Sequence, residues 1–167
     1  MNITFVISSL SLGGAEKVST MLCNFWSQKN NNVNIVILNK NDDVNQFKLS
    51  KKIKVHRLEI NSNFFFLTSI FSNLKKIFYL IKFFKKTKTD IVVSFMTENN
   101  ILSIIGSKIS GIPIVISERT VPGVHKINFF WKILRLMTYR FSDAIVVQSK
   151  FVSHRFEKNF KLQTYII

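Results

Sequence analysis

Apolar positions along this chain alternate between short continuous runs and longer stretches with helical spacing. Ile3-Thr4-Phe5-Val6-Ile7 is the first run, β-rich and closed by Ser8-Ser9, with Gly13-Gly14 soon after. From Ala15 to Gln28 the apolar positions Val18, Met21, Leu22, Phe25 and Trp26 recur every three or four residues, which predicts a helix. Asn30-Asn31-Asn32 marks a turn, and Val33 to Leu38 is a second strand. Residues 39 to 52 are polar and read as a loop. Ile53 to Ile60 alternates imperfectly as a third strand, and a long helical pattern follows from about Phe66 to Lys86.

The second half repeats the rhythm. Ile91 to Phe95 predicts a strand, about Asn99 to Ser110 a helix stopped by Gly111, and Pro113 to Ser117 another strand. Residues 118 to 127 hold Pro122 and Gly123 and read as a loop. A helix over Phe129 to Phe141, a strand over Asp143 to Val147, a short helix over Ser149 to Lys158 and a last strand from Thr164 complete the order. Short, fully apolar strands alternating with helices predict an α/β fold: a Rossmann-like parallel sheet flanked by helices on both faces. With 167 residues, 47% of them hydrophobic, the chain is expected to be one domain over 1–167. No repeat or linker interrupts it.

Charge adds an expectation about partners. Lys and Arg number 24 against 9 Asp and Glu, a net charge of +15, which suits an anionic partner such as an acidic lipid surface or a phosphorylated substrate. The excess is mostly Lys beside abundant Asn, Ile and Phe, so codon composition accounts for part of it. Clustered Arg and any nucleic-acid-binding motif are missing, and no nucleic-acid partner is expected. A single Cys23 excludes an internal disulfide framework, and His56, His125 and His154 lack metal-ligand spacing, so no metal is expected. Residues 1 to 12 read as a strand rather than a secretory leader. Phe64 to Phe84 is interrupted by Asn73, Lys75, Lys76 and Lys82 and is not expected to span a membrane.

Ligands of open parallel sheets bind beyond the carboxyl ends of the strands, which singles out the loops Ser8–Gly14, Phe95–Asn99, Ser117–His125 and Gln148–Lys150. Gly13 and Gly14, between the first strand and the first helix, offer a backbone free to take positive φ and helix N–H groups for a phosphate; a tight structural turn is the alternative. Glu118 and Arg119 end the strand from Pro113: the first is a candidate catalytic base or hydroxyl acceptor, the second a phosphate fork, against the alternative of a loop ion pair. Thr97-Glu98-Asn99-Asn100 reads as the start of a helix, with Glu98 a candidate for binding substrate hydroxyls. Asp90 and Asp143 precede strands at the opposite edge and read as turn or cap residues.

The long helix has its own message. Leu67, Ile70, Leu74, Ile77, Ile81 and Phe84 form one stripe expected to face the core. Lys75, Lys82 and Lys86 fall opposite, with Tyr79 and Phe83 on one flank and Phe71 and Phe78 on the other. Lysines beside exposed rings suit an anionic membrane interface, so Lys75, Tyr79, Lys82, Phe83 and Lys86 are expected to contact membrane or lipid pyrophosphate; an ordinary basic surface helix is the alternative. The helix from Phe129 adds Lys132, Arg135 and Arg140 with Trp131 and Tyr139.

Taken in order, Ile3 to Ile7 with Gly13-Gly14-Ala15-Glu16-Lys17-Val18, then Asp90 to Phe95, Pro113 to Arg119 and Asp143 to Ser149, resemble the landmarks of family 4 glycosyltransferases, the retaining two-domain group with the GT-B fold. The likeness runs over practically the whole chain and is greatest to members that build lipid-linked oligosaccharides and surface polysaccharides. The resemblance implies an N-terminal, acceptor-binding domain that approaches the membrane, with a nucleotide-sugar donor held mainly by a C-terminal domain not present in this sequence. It implies no cofactor and no metal. By that resemblance Gly13 and Gly14 lie near the donor diphosphate and acceptor, and Glu118 stands where the family places a polar residue, often His, beside the reacting sugars. The basic helix matches one that contacts membrane or lipid pyrophosphate.

The expected function is therefore the N-terminal half of a hexosyl-transferring glycosyltransferase acting on a lipid-linked or cell-surface glycan acceptor. It is expected at the cytoplasmic, inner face of the membrane and inactive alone, with a separate chain carrying the donor half as a further partner. The alternative is a non-enzymatic module that binds a membrane or a partner.

Overall fold

In the computed structural model, residues 1–39, 47–58, 66–119, 127–160 and 164–167 are described. Strands β1 (Asn2–Ile7), β2 (Asn32–Ile37), β3 (Lys54–Arg57), β4 (Ile91–Phe95), β5 (Ile114–Glu118), β6 (Ala144–Val147) and β7 (Thr164–Ile166) form one sheet in the order β3-β2-β1-β4-β5-β6-β7. Every pairing is parallel. Between them run α1 (Gly14–Gln28), α2 (Phe66–Lys86), α3 (Thr97–Ser110), α4 (Phe129–Thr138) continued by a 3-10 turn (Tyr139–Phe141), and α5 (Lys150–Phe160). This is the expected Rossmann-like α/β fold. Of the expected loops, residues 40–46 and 120–126 lie outside the described residues, as do the last residues of the run expected as a third strand.

Parallel strands are apolar on consecutive residues because both faces are buried. Ile3, Phe5 and Ile7 of β1 and Ile35 and Ile37 of β2 pack under α1 through Val18, Leu22, Cys23 and Trp26. On the other face Val6, Val36, Val92, Ile114, Ile116 and Ile145 lie under α2, α3 and α5. Coverage is uneven: α1 is the only described helix on its face. Beyond it Ile91, Val115 and Val146 line a mostly apolar cavity of about 640 Å³ with Arg119 among its walls. Cys23, on the sheet-facing side of α1, is fully buried, and burial pushes its thiol up to about 12.

Strand starts are tied by carboxylates that the sequence offers only as turn or cap residues. Asp90 Oδ2 accepts from the Asn2 backbone N–H at 2.7 Å, and Asp143 Oδ2 accepts from the Ile114 N–H at 2.8 Å and from Lys108 Nζ at 2.9 Å. Gly111 ends α3 at φ 69°, the left-handed conformation that favours glycine.

The two amphipathic helices are turned differently from expectation. On α2 the core face is Leu80, Phe83 and Phe84, with Ile77 and Tyr79 packed beside them. Leu74, expected in the core stripe, is 45% exposed, and Phe71 and Phe78 are 64% and 63% exposed. Phe83, expected at a membrane surface, is 7% exposed; it stacks on Tyr79 and meets His56 of β3 edge-on at 4.7 Å between centroids. Phe83 therefore belongs to the core and is not a surface anchor, and Tyr79 is half-buried against it. The physical reason is that α2 is apolar on most sides, so its periodicity left the phase open and its neighbours set it. Gly106 of α3 is one such neighbour: a Cβ there would stand 3.3 Å from Leu80 Cβ and 3.5 Å from Phe84 Cε2. On α4, Arg135 and Tyr139, expected at the surface, are buried, while a run of apolar side chains faces outward.

Candidate functional site

Strand order reverses between β1 and β4, so the chain leaves these two strands in opposite directions and opens a crevice at their carboxyl ends. The loops after both strands meet there, with Ser8 Oγ 3.5 Å from Met96 Sδ. Met96 lies at φ 75°, ψ 143°, a conformation that costs a non-glycine residue about 1–3 kcal/mol and that clusters at functional sites. Its carbonyl accepts from Asn100 N at 2.8 Å and its N–H donates to Ser117 O at 3.3 Å, which locks the turn to β5.

Below this turn a cavity of about 540 Å³ is lined by Ser8, Asn39, Asn73, Lys76, Glu98 and Asn128, with Met96, Leu102 and Ile127 as apolar floor. Lys76 is half-buried on α2, and Glu98 lines the same cavity from the first turn of α3. Burial pulls the Lys76 ammonium below its ordinary value, with Glu98 opposing; burial pushes the Glu98 carboxyl up, with Lys76 opposing. The two act on one another through space without a direct hydrogen bond. A cation, a carboxylate and several amides facing one open volume are suited to a polyhydroxylated ligand: the amides donate and accept, Glu98 accepts from hydroxyls and Lys76 donates. Of the lining residues the sequence pointed to Ser8, through its loop, and to Glu98 and Asn99, and not to Asn39, Asn73, Lys76 or Asn128. Asn73 and Lys76 sit three apart on one helix face, a weak signal among so many lysines.

The glycine loop is next to it. Gly13 caps α1 in extended backbone at φ −178°, and neither Gly13 nor Gly14 has positive φ, which corrects the expected reason for these glycines. A Cβ on Gly13 would collide with the Glu16 carboxylate, which lies 2.9 Å away at its Cδ and accepts from Ser9 Oγ at 3.0 Å. The α1 N-terminus thus already has a negative charge beside it. A Cβ on Gly14 would meet nothing within 4 Å, so open space lies outside that residue. Gly14→Ala is accordingly expected to stabilise the fold by about 0.4–1 kcal/mol, since Ala restricts the unfolded chain without a clash; a lower urea midpoint would contradict this.

The two residues ending β5 part company. Arg119 lays its guanidinium 4.9 Å from the Phe95 ring centroid, and among the described residues its buried Nε has no hydrogen-bond partner. Burial pulls it below the ordinary arginine value while Glu16 supports its charge. Glu118 turns the other way and is 1% exposed. Its carboxylate accepts from Thr97 Oγ1 at 2.9 and 3.1 Å and from the Tyr139 hydroxyl at 2.6 Å. Asn100 Nδ2 donates to the same hydroxyl at 3.2 Å and to Ser117 O at 3.1 Å. A carboxylate so enclosed cannot take a proton from a ligand in the crevice, which corrects its expected place as a base; it fastens β5, α3 and the turn after α4. Thr97, expected merely to begin a helix, is a donor to it.

Among the described residues no three His, Cys, Asp or Glu side chains come together, and no helix is long and apolar enough to cross a membrane. Residues 12–166 match the family described as Glycosyltransferase Family 4. The chain belongs to that family. It is 34% identical over 168 residues to a Campylobacter jejuni protein, GalNAc-alpha-(1->4)-GalNAc-alpha-(1->3)-diNAcBac-PP-undecaprenol alpha-1,4-N-acetyl-D-galactosaminyltransferase, covering 97% of this chain and 45% of that one. The family 4 chain thus spans under half the length of that curated relative. Its fold is similar to Anabaena HepE in complex with UDP and glucose (TM-score 0.72, 16% identity, 99% of this chain and 43% of that one). It is also similar to the UDP-GlcNAc 2-epimerase of Methanocaldococcus jannaschii (TM-score 0.75, 15% identity, 100% and 45%). These likenesses are of fold.

Proposed function

We propose that this chain is the acceptor-binding half of a retaining glycosyltransferase that moves a hexose-type sugar from a nucleotide sugar to a polyprenyl-diphosphate-linked glycan, working as a peripheral protein on the cytoplasmic membrane face. The observation that carries the reading is the polar cavity of Asn73, Lys76, Glu98 and Asn128 at the point where strand order reverses. The Campylobacter relative, whose name specifies an undecaprenol-diphosphate-linked acceptor, supports the acceptor class. In this reading Lys76 and Glu98 hold acceptor hydroxyl or acetamido groups. The donor diphosphate passes over Gly13 and Gly14, with open space outside Gly14, within reach of Arg119. A second, donor-binding domain closes the opposite side. Glu118 is a positioning residue acting through Thr97 and Asn100. Lys75, Lys82 and Lys86 of α2, with Phe71 and Phe78 in place of Tyr79 and Phe83, meet the anionic membrane surface.

A soluble oligosaccharide of N-acetylhexosamines, titrated into the ¹⁵N-labelled chain, tests the acceptor site. The backbone amides of Asn73, Lys76 and Glu98 are expected to shift. Glu98→Gln and Lys76→Gln are each expected to weaken binding about tenfold or more, the size of a lost charge-assisted hydrogen bond. Unmoved amides at saturating glycan would sink the assignment.

A further inference from the structure

Helix α4 is turned inside out. Thr138 and Arg135 point inward and Trp131 and Leu134 are half-buried, whereas Phe129, Phe130, Ile133, Leu136, Met137 and Phe141 are all exposed, Phe129 at 73% and Met137 at 55%. On a helical projection those six fall on one continuous arc, with exposed Lys132 at its margin and Arg140 within it. From 119 to 142 the sequence has no Asp or Glu.

We propose that this arc is the element by which the chain inserts into an anionic membrane interface. The proposal rests on the membrane reading above and assigns the insertion to α4, with the α2 lysines supplying attraction. An apolar face this continuous is unfavourable in water. At 10 residues α4 is far too short to span a bilayer, but it can lie in the interface plane with rings and aliphatic groups among the acyl boundary and Lys132 and Arg140 at the phosphates. Charge selects this occupant over a second copy, because pairing the arc with itself would bring like charges of Lys132 and Arg140 together. Position agrees. Both α2 and α4 pack on α3 and so belong to one helix layer, and Ile127 and Asn128, just before α4, line the same polar cavity as Asn73 and Lys76. A lipid-linked headgroup would then reach the cavity from a surface on which α4 already rests.

The test uses the 167-residue chain and vesicles of phosphatidylcholine with or without phosphatidylglycerol. The wild type is expected to sediment with the anionic vesicles and weakly with the neutral ones. Ile133→Glu/Met137→Glu, both at exposed positions, is expected to lower the partition coefficient about tenfold or more with an unchanged circular dichroism spectrum. Met137→Trp is expected to gain emission that brominated phospholipid quenches, a readout independent of the charged variant's folding. Lys75→Gln/Lys82→Gln/Lys86→Gln serves as the second arm. Loss of binding in that arm, with undiminished binding by the α4 double variant and unquenched Met137→Trp, would overturn the α4 inference and leave the α2 reading standing. No binding of the wild type to anionic vesicles would overturn both. Concentration-dependent dimerisation abolished by the α4 substitutions, with vesicle binding intact, would show the arc covered by protein and also overturn it.

Discussion

Glu118→Ala is expected to lower the free energy of unfolding by about 3–5 kcal/mol, the cost of leaving two buried hydroxyls without their acceptor and of the cavity that truncation opens. The carboxylate is 1% exposed and takes hydrogen bonds from Thr97 and Tyr139. Truncation strands both hydroxyls in a volume too small and too enclosed to rehydrate them freely. It also loosens Asn100, whose amide shares the Tyr139 oxygen. Glu118→Gln keeps an acceptor and the shape and is expected to cost less, about 1–2 kcal/mol. Urea denaturation measures both, and an Ala variant as stable as wild type would refute the network. Were Glu118 instead a base in the crevice, Gln would leave stability untouched.

Tyr139 gives the same network a pH signature. Burial above all, then the Glu118 carboxylate, pushes its hydroxyl well above the ordinary tyrosine value. The folded state keeps this proton when the unfolded chain releases it near pH ~10. Its contribution to stability is therefore complete below that pH and is lost as pH rises above it. Tyr139→Phe should lessen the alkaline fall in stability while lowering stability at neutral pH.

Gly106→Val is expected to cost about 2–3 kcal/mol by overpacking the contact of α2 with α3. The first carbon of any side chain at 106 already stands 3.3 Å from Leu80 Cβ, 3.5 Å from Phe84 Cε2 and 3.9 Å from the Ile77 carbonyl oxygen. Two of those atoms are at or next to the α2 backbone, so they yield only if α2 itself moves. A valine adds two methyl groups to that gap. Gly106→Ala should be nearly neutral, because the roughly 1 kcal/mol that alanine adds to helix stability offsets the tight contact. A displaced α2 would carry Asn73 and Lys76 away from Glu98, so Gly106→Val should also weaken glycan binding. Wild-type urea midpoint and glycan affinity in Gly106→Val would show the contact to be soft.

The sequence by itself determined the order of strands and helices, because a parallel sheet buried on both faces writes its strands as unbroken apolar runs. It marked Gly111 as the stop of α3, since a helix stop acts on its own neighbours; Asp90 and Asp143 read only as turn or cap residues, and their partners Asn2 and Ile114 lie 88 and 29 residues away. It also pointed to the crevice, whose place follows from strand direction. Tertiary structure decided the rest. The face of α2 was open in a helix with Phe and Leu on most sides, and Gly106, His56 and the sheet chose it. Glu118 reads as a site carboxylate in isolation, yet Thr97 and Tyr139, each 21 residues away, enclose it. The facing of Lys76 and Glu98, and the outward turn of α4's apolar arc, likewise arise from how separate elements pack. Periodicity states that a helix has sides. Which side is buried depends on atoms that the local sequence does not contain.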